Sequence, residues 1–258
     1  MTTRDTPWPD GTPCWTDLVV PDQRMALDFY GALFGWDFAE QGGDMGNYVL
    51  CSIDGRQVAG IGEQPQGQEM PSAWTIYLAS SDLDKTVAAI GENGGQLMMP
   101  PMDVPGAGRM AIAADPTGAV FGVWQAGRHT GFGLANVVGT DVWNECMTRD
   151  YAAAKRFYGD VFGYDFEDVE GDFTYAALKV GGNIVGGIGG MGDETPAEVP
   201  PFWSAYFGVS DTDAAVERVE RLGGTLVRPA MDSPYGRMAT VTDNQGAYFL
   251  LISVAPEG

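Results

Sequence analysis

The chain has 258 residues, and its 14 Lys and Arg stand against 35 Asp and Glu, a net charge of −21. That balance, without a basic cluster, argues against nucleic-acid binding and suits neutral or cationic ligands. One histidine, His129, and 3 cysteines with no CxxC spacing leave nothing from which to build a His-rich metal site, and the place of His129 in the expected linker argues against a Ser-His-Asp triad.

No apolar run is long enough to cross a bilayer, and the opening MTTRDTPWPDG lacks the apolar stretch of a secretory signal. Cytoplasmic residence with free thiols is expected, with neither membrane nor nucleic acid as a partner.

In chain order, Cys14–Asp22 (CWTDLVVPD) reads as a strand. Its side chains alternate, so Trp15, Asp17 and Val19 share one face while Leu18 and Val20 take the other. Asp22 then caps a helix in which Ala26, Phe29, Tyr30, Leu33 and Phe34 recur at helical spacing, and Gly35 ends it. Strands follow over Tyr48–Ile53 and Gln57–Gly62, with Asp54-Gly55 as the turn. Asp82 caps a second helix, Leu83–Asn93, stopped by Gly94-Gly95.

The pattern then starts again. Phe29–Phe38 (FYGALFGWDF) returns as Phe157–Phe166 (FYGDVFGYDF), Trp74–Asp84 as Trp203–Asp213, and Gly108–Phe121 as Gly236–Phe249. Three collinear matches define a duplication. The expected units are a first domain over 1–126, a linker over 127–138 and a second domain over 139–258. Each copy divides again into strand–helix–strand–strand–strand modules. The predicted fold is therefore α+β: two tandem domains, each of two paired βαβββ modules forming a cup-shaped mixed sheet with helices on its outer face.

The strand–Asp–helix start with FYxxxFG, and the DPTGAVF and DNQGAYF turns, resemble the vicinal-oxygen-chelate superfamily of glyoxalases, extradiol dioxygenases and fosfomycin- and bleomycin-resistance proteins. The likeness runs from about Pro13 to Val254 and is similar to that of tandem glyoxalase-like proteins of actinobacteria. It implies the fold more than the activity, since one fold hosts many chemistries. Metal-binding members carry His on the first and fifth strands and Glu on the eighth. Carried over, these positions hold Trp15, Thr75 and Gly122 in the first copy and Trp143, Ser204 and Leu250 in the second. The resemblance thus implies a cup without its family metal, and no cofactor is expected.

Read at period two, the cups present Trp15, Asp17, Thr75, Tyr77, Gly122 and Trp124, and then Trp143, Glu145, Ser204, Tyr206, Leu250 and Ile252. Trp15, Thr75, Tyr77, Trp124, Trp143, Ser204 and Tyr206 are the candidate ligand-binding residues. Their rings either wall a small-molecule pocket or fill the cup as core. Asp17 and Glu145 are the candidate acid–base groups, because a carboxyl in a partly apolar cup holds its proton more tightly. The alternative is that each only accepts a hydrogen bond and holds the cup in shape. Gly122 opposite Leu250 makes the first cup the roomier and the expected working site. Met98, Met99, Met102 and Met231 are expected as core filler, Cys14 and Cys146 as helix-facing, and Arg109 and Arg237 as partners of Asp103 and Asp232.

The function expected is metal-independent binding of a small, aromatic organic molecule, for sequestration or as a biosynthetic accessory. The alternative is a metal-free isomerase, cyclase or lyase using Asp17 or Glu145. A metal-dependent glyoxalase or dioxygenase and a regulatory interaction protein rank below these. Tandem fusion is compatible with a monomer and leaves a dimer open.

Overall fold

The computed structural model describes residues 1–40, 47–65, 67, 70–171, 173–193 and 195–254. A short strand β1 (Thr2–Thr3) precedes the first module, made of β2 (Pro13–Val20), α1 (Gln23–Phe34), β3 (Asp37–Glu40), β4 (Val49–Ile53) and β5 (Arg56–Glu63). The second module is β6 (Ala73–Ala79), α2 (Leu83–Glu92), β7 (Gln96–Val104), β8 (Gly108–Ala114) and β9 (Val120–Ala126). After β10 (Leu134–Ala135) come β11 (Asp141–Thr148), α3 (Tyr151–Phe162), β12 (Asp165–Asp168), β13 (Tyr175–Val180) and β14 (Asn183–Gly190). The last module is β15 (Phe202–Val209), α4 (Thr212–Arg221), β16 (Thr225–Ser233), β17 (Gly236–Thr242) and β18 (Tyr248–Ser253).

Local chemistry sets the boundaries. Asp22, Asp82, Asp150 and Asp211 each accept the backbone N–H three residues on, satisfying a donor that the first helical turn leaves free. Gly35 and Gly163 close α1 and α3 in the left-handed region, at φ 74° and 68°. Asp54 and Gly55 also take positive φ, which matches the twist of the β4–β5 hairpin.

The strands form two 8-stranded mixed sheets, in the orders β3-β4-β5-β2-β6-β9-β8-β7 and β12-β13-β14-β11-β15-β18-β17-β16. In each, the first strands of the two modules pair antiparallel at the centre, and the last strand of each module runs parallel beside its own first strand. This is the α+β, tandem, cup-sheet architecture expected from the sequence.

Leu18 and Val20 are fully buried on the helix side, together with Ala26, Phe29, Tyr30 and Leu33 of α1. The helix-side faces of both sheets join in one core, where Trp74 meets Phe207 at 5.0 Å and Phe121 meets Phe157 at 6.1 Å. Cup-side residues form two separate clusters, one per sheet.

The duplicated motifs meet across this interface. Tyr30, from the first FYxxxFG, donates to Asp243 Oδ2 at 3.0 Å and accepts the Trp74 indole N–H at 3.1 Å. Asp243 is itself fixed in the second DxxGA turn by the N–H groups of Gln245 and Ala247. The mirrored Tyr158 accepts from Trp203 at 2.7 Å and faces Asp115 of the first domain. Tyr30→Phe removes a partner from two buried groups at once. Its expected cost is about 3 kcal/mol, or roughly 6 °C in Tm for a chain of this size. Thermal unfolding at pH 7 measures it, and an unchanged Tm would mean these bonds do not hold the domains together.

Two packing expectations are corrected. The methionines are not core filler: Met98 and Met231 are 63% and 57% exposed, and Met99 and Met102 are exposed too. They lie on β7 and β16, the outermost strands, where no layer covers them. Pro100, Pro101 and Pro229 remove ladder donors from these edges. Cys14 does not face the helix either. The β2–β6 register shifts between Pro13 and Trp15, and Cys14 joins the cup-side cluster. Cys146 does lie in the helix-side core.

Candidate functional site

The concave face of the first sheet encloses a cavity of about 410 Å³. Its lining includes Trp15 and Asp17 from β2, Tyr77 from β6 and Trp124 from β9, four of the six first-cup residues that alternation placed there. Thr75 stands opposite Asp17 in the register but is not part of that lining. Gly122 contributes no extra room. The Tyr77 ring lies on it, and a Cβ there would stand 2.1 Å from that ring.

A directed hydrogen-bond chain occupies the floor. Trp15 Nε1–H donates to the Tyr48 hydroxyl at 3.1 Å, Tyr48 donates to Asp17 Oδ2 at 3.3 Å, and Tyr77 donates to the same Oδ2 at 3.1 Å. Both phenol protons converge on one oxygen, so Oδ1 is the oxygen left for a ligand. Burial pushes the Asp17 carboxyl up to about 7, with the Tyr77 and Tyr48 hydrogen bonds pulling the other way. Burial also holds both phenols well above their ordinary value, so they remain donors.

Sequence reasoning missed Tyr48. It sits one residue before β4, and its hydroxyl rests above Gly60, where a Cβ would stand 1.8 Å away. The available signal was a Tyr at the start of both matching strands, Tyr48 just before β4 and Tyr175 opening β13, each covering a glycine, Gly60 or Gly187.

The connecting segment was missed as well. Past β9 the chain turns back across the first cup, tied by Phe132 N–H to Cys14 O at 2.7 Å and Gly133 N–H to Gln57 O at 2.8 Å. This brings Arg128 and His129 into the cavity lining. His129 packs edge-on against Trp15 at 4.3 Å, and its Nδ1 pairs with Gln57 Oε1 at 2.8 Å. Burial lowers its pKa to about 4, so the ring is neutral at pH 7.

The second cup repeats the network with one change. Trp143 donates to Tyr175 at 3.0 Å, Tyr175 donates to Glu145 Oε2 at 2.9 Å, and Tyr206 donates to Glu145 Oε1 at 2.5 Å. Here each carboxylate oxygen accepts its own phenol. Burial raises the Glu145 pKa against the pull of the Tyr206 and Tyr175 bonds. Ser204 is buried opposite Glu145 in the register. Arg109 and Arg237 pair with Asp103 and Asp232 as expected, and each also grips an acid of its module's helix, Asp84 or Asp213.

Two cupped sheets of paired βαβββ modules, each with an aromatic floor around one carboxyl, define a glyoxalase-like class of protein. The model of the Glyoxalase/Bleomycin resistance protein/Dioxygenase superfamily matches residues 14–123 and 143–251, and the chain belongs to that superfamily. It is 40% identical over 254 residues, 96% of each chain, to CFP32 of Mycobacterium bovis, which bears a glyoxylase name. It is 36% identical over 262 residues to the anthracycline biosynthesis protein DnrV of Streptomyces peucetius, covering 95% of this chain and 94% of that one. The Mn(II)-bound glyoxalase of Novosphingobium aromaticivorans shares the fold at a TM-score of 0.65 and 17% identity, over 95% of this chain and 82% of that one.

The donors in the cups do not fit that family's metal. An indole, a threonine hydroxyl and a glycine under a tyrosine ring stand where two imidazoles and a carboxylate are needed. Among the described residues, no group of three His, Cys, Asp or Glu could hold an ion. No helix among them is long and apolar enough to cross a membrane.

Proposed function

We propose that this protein binds a small aromatic organic molecule in its first cup, without a metal, in a sequestering or biosynthetic accessory role. The observation that carries the reading is the convergence of Tyr48 and Tyr77 on one oxygen of Asp17, in a cavity walled by Trp15 and Trp124. Indole walls suit a flat ring, and the second oxygen of Asp17 suits a hydroxyl or N–H donor on its edge. The likeness to DnrV, whose name places it in anthracycline biosynthesis, supports the same reading.

A test uses 2-naphthol, a flat ring with one donor, in isothermal titrations at pH 6 and pH 8. A donor prefers ionised Asp17, so affinity is expected to rise up to about tenfold across this range. Asp17→Asn, which cannot ionise, flattens the dependence. Binding that ignores pH equally in both proteins would refute the assignment of the ligand to Asp17.

One observation favours a second reading, a metal-free isomerase, cyclase or lyase. A carboxyl titrating at about 7 is poised to take and return a proton at neutral pH. Asp17 is the better placed of the two acids for this role, because both oxygens of Glu145 are already engaged. Native mass spectrometry separates the readings: a binder returns its ligand at unchanged mass and structure, whereas an enzyme returns an isomer or a fragment.

A further inference from the structure

Past β9, the connecting segment brings to the first cup a charge that its surroundings do not neutralise. Among the described residues, three that line the cavity are charged: Asp17, Asp103 and Arg128. Asp17 stands on the floor with two phenols on one oxygen. Asp103 faces Arg109, whose Nε lies 3.3 Å from its Oδ1. The Arg128 side chain has neither an ion pair nor a hydrogen bond. His129 beside it is neutral at pH 7, so the positive charge of the described lining is that of Arg128.

The backbone on both sides of Arg128 is fixed. The N–H groups of Gly127 and His129 both donate to Ala107 O, at 3.0 and 3.1 Å, which ties the segment to the β7–β8 hairpin. His129 O accepts the Trp124 indole N–H at 3.0 Å, and the His129 ring is held against Trp15, Trp124 and Gln57. Ala107, Trp124 and Gln57 line the same cavity. Arg128 is thereby carried to the cavity as an exposed residue on an anchored segment.

The nearby Arg109 shows the contrast, since Asp84 at 2.9 Å and Asp103 at 3.3 Å already occupy its guanidinium. In a chain with 35 acidic residues, an unpaired guanidinium at a cavity is a donor set without an acceptor. Its planar fork of N–H groups matches a carboxylate, which it holds through two parallel bonds. The net charge of −21 opposes an anion mainly from a distance. Salt at physiological strength screens charges beyond about 8 Å, whereas a carboxylate in contact with Arg128 keeps its attraction.

We infer that Arg128 reads an acidic substituent on the ligand of the first cup. The ligand is then a flat aromatic acid, with a hydroxyl for the free oxygen of Asp17 and a carboxylate for Arg128. The inference rests on the first-cup binding reading and adds to it a charged group that the overall composition disfavours.

Calorimetry on the full chain at pH 7, with 2-naphthol and 6-hydroxy-2-naphthoic acid, tests it. The two compounds share a ring system and a hydroxyl and differ in one carboxylate. Wild type is expected to bind the acid about fivefold to tenfold more tightly than the naphthol. In Arg128→Gln the ratio of the two affinities should fall to about one or below. In Arg128→Lys, which keeps the charge without the fork, it should lie between. The ratio is taken within each protein, so a general weakening of the cup cancels. A wild-type ratio of one or less, or a ratio that Arg128→Gln leaves unchanged, would overturn the role of Arg128. Binding of 2-naphthol with its Asp17-dependent pH profile survives that result, so the two readings fail separately. If neither compound binds wild type, the first-cup reading falls and takes this inference with it.

Discussion

Gly122→Ala is expected to destabilise the first domain by about 4 kcal/mol and to abolish ligand binding in its cup. The new methyl carbon would stand 2.1, 2.4 and 2.6 Å from three atoms of the Tyr77 ring, which is itself buried. Overpacking of this kind costs about 1–3 kcal/mol, and the displaced phenol also abandons its buried bond to Asp17, for roughly 1–3 kcal/mol more. The second copy shows how the clash is relieved. Leu250 stands beside Tyr206 as Gly122 stands beside Tyr77, and the acid is Glu145 in place of Asp17. There the tyrosine meets a carboxyl one methylene longer, at 2.5 Å. Asp17→Glu should therefore recover much of the loss when added to Gly122→Ala. Urea denaturation of the wild type, both single variants and the double variant gives the coupling directly. A coupling of at least about 1 kcal/mol is expected, and strict additivity would show that acid length and glycine do not compensate one another.

That compensation lies between distant strands, which is why alternation could not reveal it. Period two on β2 separated Trp15 and Asp17 from Leu18 and Val20, because one face had an amphipathic helix to cover it. The same logic reached Tyr77 and Trp124. It treated Gly122 as free space, since alternation says which face a residue occupies and not which neighbour leans across it. Tyr48 escaped although it opened the expected strand Tyr48–Ile53, because its role depends on a ring reaching over Gly60 of the adjacent strand. His129 escaped because nothing in a Gly-rich connecting segment specifies its path; hydrogen bonds to Cys14 and Gln57 do. The methionines were misread because an apolar residue on a sheet's last strand has the same composition signal as one in the core. The DxxGA turns were legible as motifs, but their task of receiving a tyrosine from the other copy required both domains to be seen together.

Asp17→Asn is expected to make the protein more stable at neutral and alkaline pH, and by an amount that depends on pH. Burial raises the Asp17 pKa from an ordinary 3.8 to about 7. Below pH 3.8 the carboxyl is protonated in the folded and unfolded chains alike, and it contributes no difference. Between about 4 and 7 the unfolded chain releases this proton while the folded one keeps it, so stability falls as pH rises. At roughly 1.4 kcal/mol per pH unit, the fall approaches 4 kcal/mol and then levels off above 7. An asparagine carbonyl can take the place of Oδ2 and accept both phenols, so the variant keeps the network without the penalty. At pH 8 the variant should unfold about 8 °C or more above wild type, and at pH 4 the two should nearly coincide. Asp141, Glu145 and Asp243, whose pKa values are also raised by burial, are common to both proteins and cancel in the difference. Thermal unfolding at unit pH steps from 4 to 8 measures the gap. A constant gap, or a variant less stable at pH 8, would mean that Asp17 is ionised and well solvated in the folded chain. The predicted gap also bears on function. Asparagine would hold the two phenols as well as aspartate does and would stabilise the fold, so shape alone gives no reason for an acid at this position. Under the proposed function, the acid stands at the floor of the cavity for what its free oxygen does to a ligand.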